Sequence, residues 1–422
     1  MARIMYNLSM KEHSNNPEIL GTPLRLRNIT IKNRFIRSAT YDGYGDSNGM
    51  PIPETAVFFS ELARGGVGAI ITGFAYVSRA GSAMQPRQYG IDSDDKIETW
   101  RDIVHKVREK TPNTCLIMQI AHCGRQTKQK MTGVPTVGVS SKKCTYYRQR
   151  VKVLDDGAIA AIIDEFAHAA RRAKEAGFDG IQLHGSHGYL IHQFLSPWTN
   201  NRKDRWADGP LFMEKIIERT RELCGEAFPI LVKLSYTEDR DPGIRLEDTV
   251  ETVKRLERLS VDAVEISSGT LEYALNIMRG ECPLDLILKV NPTYNRIPRL
   301  LQKSWKIFFS PGFLKRFKPF EENYNLAGAE RIKKETSLPV ITVGGLRSVE
   351  SMIHCIASSG LDAVSMCRPL VCEPDLPARI LSGETTKARC TSCNLCTIYS
   401  DTPRTIRCYL PKKGGISTLK SL

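Results

Sequence analysis

No apolar run in the 422-residue chain approaches the roughly 18 to 20 residues needed to cross a bilayer, and the opening MARIMYNLSMKEHSNNPEIL is too polar for a secretory leader. Both absences point to a cytoplasmic protein. The glycine-rich turn GxGxxG is missing, so a separate dinucleotide-binding domain is not indicated. Histidines at HExxH spacing with acidic neighbours are missing too, which counts against a catalytic zinc site. Acid is in short supply: 46 Asp and Glu face 60 Lys and Arg, a net charge of +14. Such a balance suits nucleic acid, an anionic membrane surface or an acidic ligand. Residues 283–320 alone carry eight Lys and Arg against one acid, so half of the excess sits in one insertion and nucleic acid is not the expected partner. Without a leader, the twelve cysteines are not expected to form a disulfide framework, and most read as small buried hydrophobes.

What is present is a recurring phrase. A helical stretch ends near Gly or Ser and a short apolar run follows, as in ARGGVGAIITG (63–73), EAGFDGIQLH (175–184), RLSVDAVEIS (258–267) and SSGLDAVSMC (358–367). Runs apolar on both faces, fed by such helix ends, indicate parallel strands covered by helices. Eight are expected, near 33–39, 68–72, 115–120, 180–184, 230–235, 262–266, 339–343 and 362–366. The helices between them are expected at 53–64, 95–110, 156–176, 211–224, 246–259, 326–335 and 348–358. Eight such units favour the α/β class and a closed (β/α)8 TIM barrel over an open sheet.

Barrel chemistry belongs at strand C-termini and in the loops that follow. Ser38 and Thr40 follow the first strand, Gln119 and His122 the third, and His184 and His187 the fourth. Lys233 lies in the fifth, Gly344 and Gly345 follow the seventh, and Arg368 follows the eighth. VGGLRS (343–348) and MCRP (366–369) form an expected phosphate end, with glycine amides, a helix start and the forked donor of Arg368. The plainer reading of both is a tight turn and a surface arginine. His184, His187 and Tyr189 share one loop, and two imidazoles with a phenol suit anchoring a carbonyl oxygen and supplying a proton. A metal site or a buried hydrogen-bonded pair is the competing reading.

The motifs NRFIRSAT, MQIAHCGRQ, HGSHGYLIHQFLSPWTNNRKDRW, PVITVGG and SMCRPL, in that order and spacing, resemble those of the Old Yellow Enzyme family of FMN barrels over roughly residues 18 to 410. The resemblance implies FMN, with Thr40 beside the reactive edge of its ring and Ser38 and Ala39 giving backbone contacts. It implies that Gly73 passes close to the flavin, that Gln119 bonds its pyrimidine side, and that Lys233 replaces a common arginine near N1 and O2. His184 and His187 would hold the substrate oxygen and Tyr189 would donate the proton, while Gly344, Gly345 and Arg368 grip the phosphate. Cys367 stands where relatives often have Gly or Ala, crowding that loop but leaving its amide free.

Near the end, RCTSCNLC and a later cysteine give Cys390, Cys393, Cys396 and Cys408. Such spacing suits an iron-sulfur cluster or a structural zinc, with metal-free thiols as the alternative. It resembles the motif of the trimethylamine dehydrogenase and 2,4-dienoyl-CoA reductase branch, which favours a 4Fe-4S cluster. The chain ends 14 residues after Cys408, so electrons are expected either from a separate electron-transfer protein at the cluster or from NAD(P)H at the barrel mouth. The expected organisation is an N-terminal tail (1–17), the barrel (18–385) with a lid insertion (283–325), and a cysteine-rich extension (386–422). The stretch SWKIFFSPGFLKRFKPF (304–320) reads as a lid packing its aromatics on the mouth, or as a contact for an anionic membrane surface or an acyl-CoA.

The expected function is an FMN-dependent oxidoreductase acting on a small molecule, an α,β-unsaturated carbonyl compound or acyl-CoA thioester. The alternatives are an amine or alcohol dehydrogenase that sends electrons out through the cluster, and a non-catalytic flavin-barrel scaffold. A homo-oligomer is among the assemblies the sequence allows.

Overall fold

The computed structural model describes residues 16–291 and 293–410; the expected N-terminal tail up to residue 15 and the end of the extension from residue 411 lie outside the described residues. Eight parallel strands form the centre: β1 Phe35–Arg37, β2 Ala69–Ile71, β3 Cys115–Ala121, β4 Gly180–Gly185, β5 Ile230–Ser235, β6 Ala263–Ser267, β7 Val340–Val343 and β8 Ala363–Met366. Each follows its neighbour around the sheet, β8 pairs with β1, and β2 pairs with β3, so the sheet closes on itself. Every expected window holds its strand to within one residue.

Helices α1 Glu54–Arg64, α2 Lys96–Lys110, α3 Asp156–Glu175, α4 Gly209–Cys224, α5 Leu246–Arg258, α6 Leu326–Lys333 and α7 Val349–Ile353 cover the outside. The start of α3 shows why such a segment folds locally. The Asp155 carboxylate accepts from the Ala158 amide at 2.8 Å, and Ile159, Ile162, Ile163 and Phe166 at helical spacing bury one face. The expected helix 348–358 is interrupted: after α7 the chain widens into a π turn over His354–Ser358 and leaves it through Gly360 at φ 68°.

Strand periodicity stacks the barrel interior in layers. Ile36, Ala69, Ile71, Ile117, Leu231, Ala263, Ile341 and Ala363 fill the lower part. A short hairpin, Leu24–Arg25 against Thr30–Ile31, closes the bottom with Leu24, Leu26 and Ile31. That hairpin is unexpected from the sequence, because two-residue strands carry no readable period. One step upward along the same inward faces, the residues become Gln119, Gln182, Lys233, Glu265 and Ser365, all buried. This change from an apolar to a polar layer sets the floor of the site. Between β6 and β7 the chain makes helices Leu284–Val290, Arg299–Phe308 and Ser310–Leu314. No helix among the described residues is long and apolar enough to cross a membrane.

Candidate active site

A cavity of about 740 Å³ opens at the C-terminal ends of the strands, within the size range of small-molecule and cofactor sites. Its floor is one connected polar chain. Gln119 Nε2 donates to Gln182 Oε1 at 2.8 Å, and Gln182 Nε2 donates to Glu265 Oε2 at 2.8 Å. The Ser38 hydroxyl donates to Glu265 Oε1 at 2.6 Å and accepts from Lys233 Nζ at 2.8 Å, while Nζ lies 3.3 Å from Glu265 Oε2. Burial pushes the Glu265 carboxyl up, but the Lys233 ammonium and these hydrogen bonds outweigh it and hold the group below its ordinary value. Lys233 is opposite Glu265 on one side and His184 on the other, so the β-sheet register itself brings these groups together.

One wall carries the expected donors. The rings of His184 and Tyr189 lie 4.8 Å apart and those of His184 and His187 5.1 Å apart, each pair close to perpendicular. His184 Nδ1 meets the Ser186 hydroxyl at 3.1 Å, and His187 Nε2 meets the Ser267 hydroxyl at 2.9 Å. His187 adopts φ 62°, a left-handed conformation whose cost is of order 1 kcal/mol or more for a residue with a Cβ. It is held there by the Ser267 bond and by its own carbonyl, which accepts from Leu271 N at 2.9 Å. Burial, with Lys233 nearby, pushes both imidazoles well below their ordinary value, so they are neutral at neutral pH. Burial likewise keeps the Tyr189 phenol protonated.

The far end is built for an anion. Gly344 at φ 128° and Gly345 at φ 75° take conformations that favour glycine, and both line the cavity. A Cβ on Gly344 would stand 2.5 Å from a Tyr324 ring carbon. Arg368 lines the same end, with Nη1 donating to the Arg279 carbonyl at 2.9 Å and to Asn394 Oδ1 at 2.6 Å. Arg347 lines it as well, and its buried Nε lacks a partner among the described residues. Glycine amides, two arginines and an unpartnered buried donor fit a phosphate; Gln119, Lys233 and Thr40 at the other end fit the polar edge of a flavin. These residues fit FMN.

Ala39, Thr40, Gln119, Lys233, Cys367 and the three wall residues thus share one cavity with the anion end. Thr40 Oγ1 bonds the Cys367 sulfur at 2.7 Å, so the unusual cysteine abuts Thr40. Three expected positions lie elsewhere. Ser38 sits beneath the floor, bonded to Glu265 and Lys233. Gly73 is outside the cavity wall, where a Cβ would meet the Thr40 carbonyl at 2.9 Å and Asp42 at 3.1 Å, and Phe74 beside it lines the cavity instead. His122 is turned away beside Gly81, accepting from Gly124 N at 3.0 Å. Ser267, Phe74 and Arg347 line the cavity, and Glu265 and Gln182 lie with Ser38 beneath its floor; the motifs singled out none of these five.

Cys390, Cys393, Cys396 and Cys408 line one small hollow together with Cys372, whose sulfur lies 3.6 Å from that of Cys408. The hollow shares Arg368, Val371, Ser392 and Cys396 with the large cavity. Ser392 and Asn394 take φ near 59° and 58°, which curls the loop around it, and Asn394 ties it to the carbonyls of Met278 and Glu281. Among the described residues no three ligating side chains converge on a metal-ion site, so neither the expected cluster nor its zinc alternative is shown.

The fold is a closed parallel barrel with a cofactor-sized cavity at its C-terminal face, lined at one end by glycines and arginines. The chain belongs to the NADH:flavin oxidoreductase / NADH oxidase family, whose model matches residues 20–280. It is 31% identical to the NADH oxidase of Thermoanaerobacter brockii over 88% of this chain and 52% of that one. It is 26% identical to the 4,4'-dithiodibutanoate disulfide reductase of Rhodococcus erythropolis over 91% of this chain and 94% of the relative. The chain therefore spans about half of the first relative and nearly all of the second. A 2-naphthoyl-CoA reductase structure superposes with a TM-score of 0.78 at 22% identity, covering 93% of this chain and 57% of that one, a likeness of fold.

Proposed function

We propose that this chain is an FMN-dependent oxidoreductase that reduces the activated C=C bond of an α,β-unsaturated carbonyl compound or acyl-CoA thioester, using electrons from NAD(P)H or an electron-transfer partner. The observation that carries this reading is the wall of neutral His184, neutral His187 and protonated Tyr189 in the same cavity as Lys233 and the anion end. Gly344, Gly345, Arg347 and Arg368 would hold the FMN phosphate, Gln119 and Lys233 its pyrimidine side, and Thr40 its reactive edge. Bound FMN would supply hydride to the β carbon of the alkene. His184 and His187 hold the carbonyl oxygen and stabilise the negative charge that gathers there. Tyr189 gives its phenolic proton to the α carbon and is reprotonated from solvent, so a C–H bond forms at each carbon of the former alkene. Lys233 is paired with Glu265 at 3.3 Å at the floor. Anaerobic photoreduction of the flavin-loaded protein followed by an enone tests this: prompt reoxidation supports the reading, and failure of every activated alkene to reoxidise it overturns it.

A second reading rests on the walls shared between the cysteine hollow and the cavity. Cys390, Cys393, Cys396 and Cys408 would hold a 4Fe-4S cluster, which supplies one-electron transfer beside Arg368. The chain would then act as an amine or alcohol dehydrogenase feeding a protein acceptor. Anaerobically purified protein should contain about four irons per chain; stoichiometric zinc, or no metal, removes the relay.

A further inference from the structure

The segment between β6 and β7 has two different apolar sides. On its inner side Tyr294, Phe313, Phe317 and Phe320 line the cavity, and Trp305 packs with Tyr294 and Phe313 at ring distances of 5.7 and 6.1 Å. Its outer side has nothing over it among the described residues: Leu300 is 94% exposed, Leu301 56%, Ile307 58%, Phe308 76% and Phe309 64%. Positions 300, 301, 307 and 308 recur at helical spacing, so helix Arg299–Phe308 turns these four apolar side chains to one outward face, with Ser304 among them. With Leu314, the segment supplies six of the ten exposed large hydrophobics in the described chain. A concentration of that kind on an otherwise ordinary surface marks a contact site.

The flanking charge indicates what the contact is. Arg296, Arg299, Lys303 and Lys315 are exposed and enter no ion pair among the described residues, whereas Lys306 pairs with Asp285 and Lys318 with Asp239. An isologous contact with a second copy would set one cationic face, net +7 over 283–320, against its equal. An anionic lipid surface offers both complements at once, acyl chains for the stripe and headgroups for its rim.

We propose that the outward stripe of residues 300–309 and its unpaired cations dock this chain on an anionic bilayer surface. The helix lies in the plane of the interface with Leu300, Leu301, Ile307, Phe308 and Phe309 inserted at the level of the headgroups. The cavity roof therefore faces the membrane, and the docking is separate from the reaction proposed above.

The test is sedimentation of the full flavin-loaded chain with vesicles of phosphatidylcholine, with and without phosphatidylglycerol. Binding to the anionic vesicles, weakened by salt and slight on the neutral ones, is the expected result. The double variant Phe308→Ser/Phe309→Ser should abolish binding while flavin content and melting temperature stay unchanged, because neither ring lines the cavity. Lys303→Gln and Lys315→Gln should each weaken binding about fivefold. Wild-type chain that stays in the supernatant with anionic vesicles at low salt overturns the proposal. So does a Phe308→Ser/Phe309→Ser variant that binds them as well as wild type, or a wild-type dimer that the double variant dissociates.

Discussion

Two carboxylates, one buried and one half-buried, distinguish the floor of the cavity from its roof. Glu265, on β6, accepts from Ser38 and Gln182 and faces Lys233, and it stays ionised. Asp401, in the cysteine-rich tail, is bonded by the Asn291 amide at 2.6 Å and enters no ion pair among the described residues, and burial pushes it up to about 6. The floor is built largely on strands in register, and its amide, ammonium and carboxylate groups are partnered without a ligand, although the Ser365 hydroxyl has no partner among the described residues. The roof and the anion end are built on loops and short helices, and they leave Arg347 Nε and Asn325 Oδ1 unpartnered. A preorganised floor can do chemistry, while an incomplete roof is completed by what it binds.

If the floor and its adjoining wall carry the chemistry, the largest effect belongs to Tyr189→Phe. It should slow alkene reduction by about 10²- to 10⁴-fold while leaving reduction of the flavin by NAD(P)H nearly unchanged. Stopped-flow measurement of the two half-reactions separates them, and equal slowing of both would refute the proton-donor role. Glu265→Gln comes next. Removing one partner of a buried pair typically costs about 3 to 5 kcal/mol, and Lys233 and Glu265 have side chains only 4% and 0% exposed. Urea titration should therefore show a large loss of stability, with much of it regained in the double variant Lys233→Met/Glu265→Leu. A single variant as stable as wild type would show that the floor is not an energetically coupled unit.

The same contrast explains what the sequence could disclose. The eight strands were legible because each is a short apolar run, seven of them fed by a helix, a pattern local in the chain. Glu265 was not, since AVEIS reads as one acid in an apolar run; only its inward parity, in register with Lys233, reveals that the acid lies beneath the site and supports it. Gln182 was hidden in the same way, in register with Gln119. Gly73 and His122 sit just past strand ends, where a single residue decides between the cavity and the outer packing, and spacing does not resolve that. The contact between Cys372 and Cys408 joins residues 36 apart and leaves no mark in the motif. The wall of His184, His187 and Tyr189 was legible because its three rings come from one short stretch of chain, His184 at the end of β4 and the other two just past it.

At the anion end the comparison sharpens through Arg368→Ala and Arg347→Ala. A charge-assisted hydrogen bond is worth about 1.5 to 3 kcal/mol, so each variant should hold FMN roughly 10- to 100-fold more weakly. Equilibrium dialysis of the flavin checks this. Arg368→Ala should also loosen the cysteine loop, because Nη1 holds Asn394; a faster reaction of Cys390 or Cys393 with a thiol reagent would report it, whereas Arg347→Ala should leave that rate unchanged. Full flavin retention in both variants would remove the phosphate assignment.

Asp401 gives the smallest effect and the most direct test of the roof. Its folded value, about 6, lies above the ordinary 3.8, so between about pH 4 and pH 6 the folded chain holds a proton that the unfolded chain has released. Stability from this group is therefore highest below about pH 4, falls as pH rises through that window and is level above it, by on the order of 3 kcal/mol in all. Glu265, held down by Lys233, has the opposite sign: its contribution is present at neutral pH and lost under acid. Asp401→Asn should remove the Asp401 term and leave the protein more stable at neutral pH than wild type. The difference between variant and wild-type urea midpoints, followed from acid to neutral pH, isolates it from every other titrating group. A difference that does not change across the window would mean that Asp401 is solvated in solution and that the roof is more open than this structure shows.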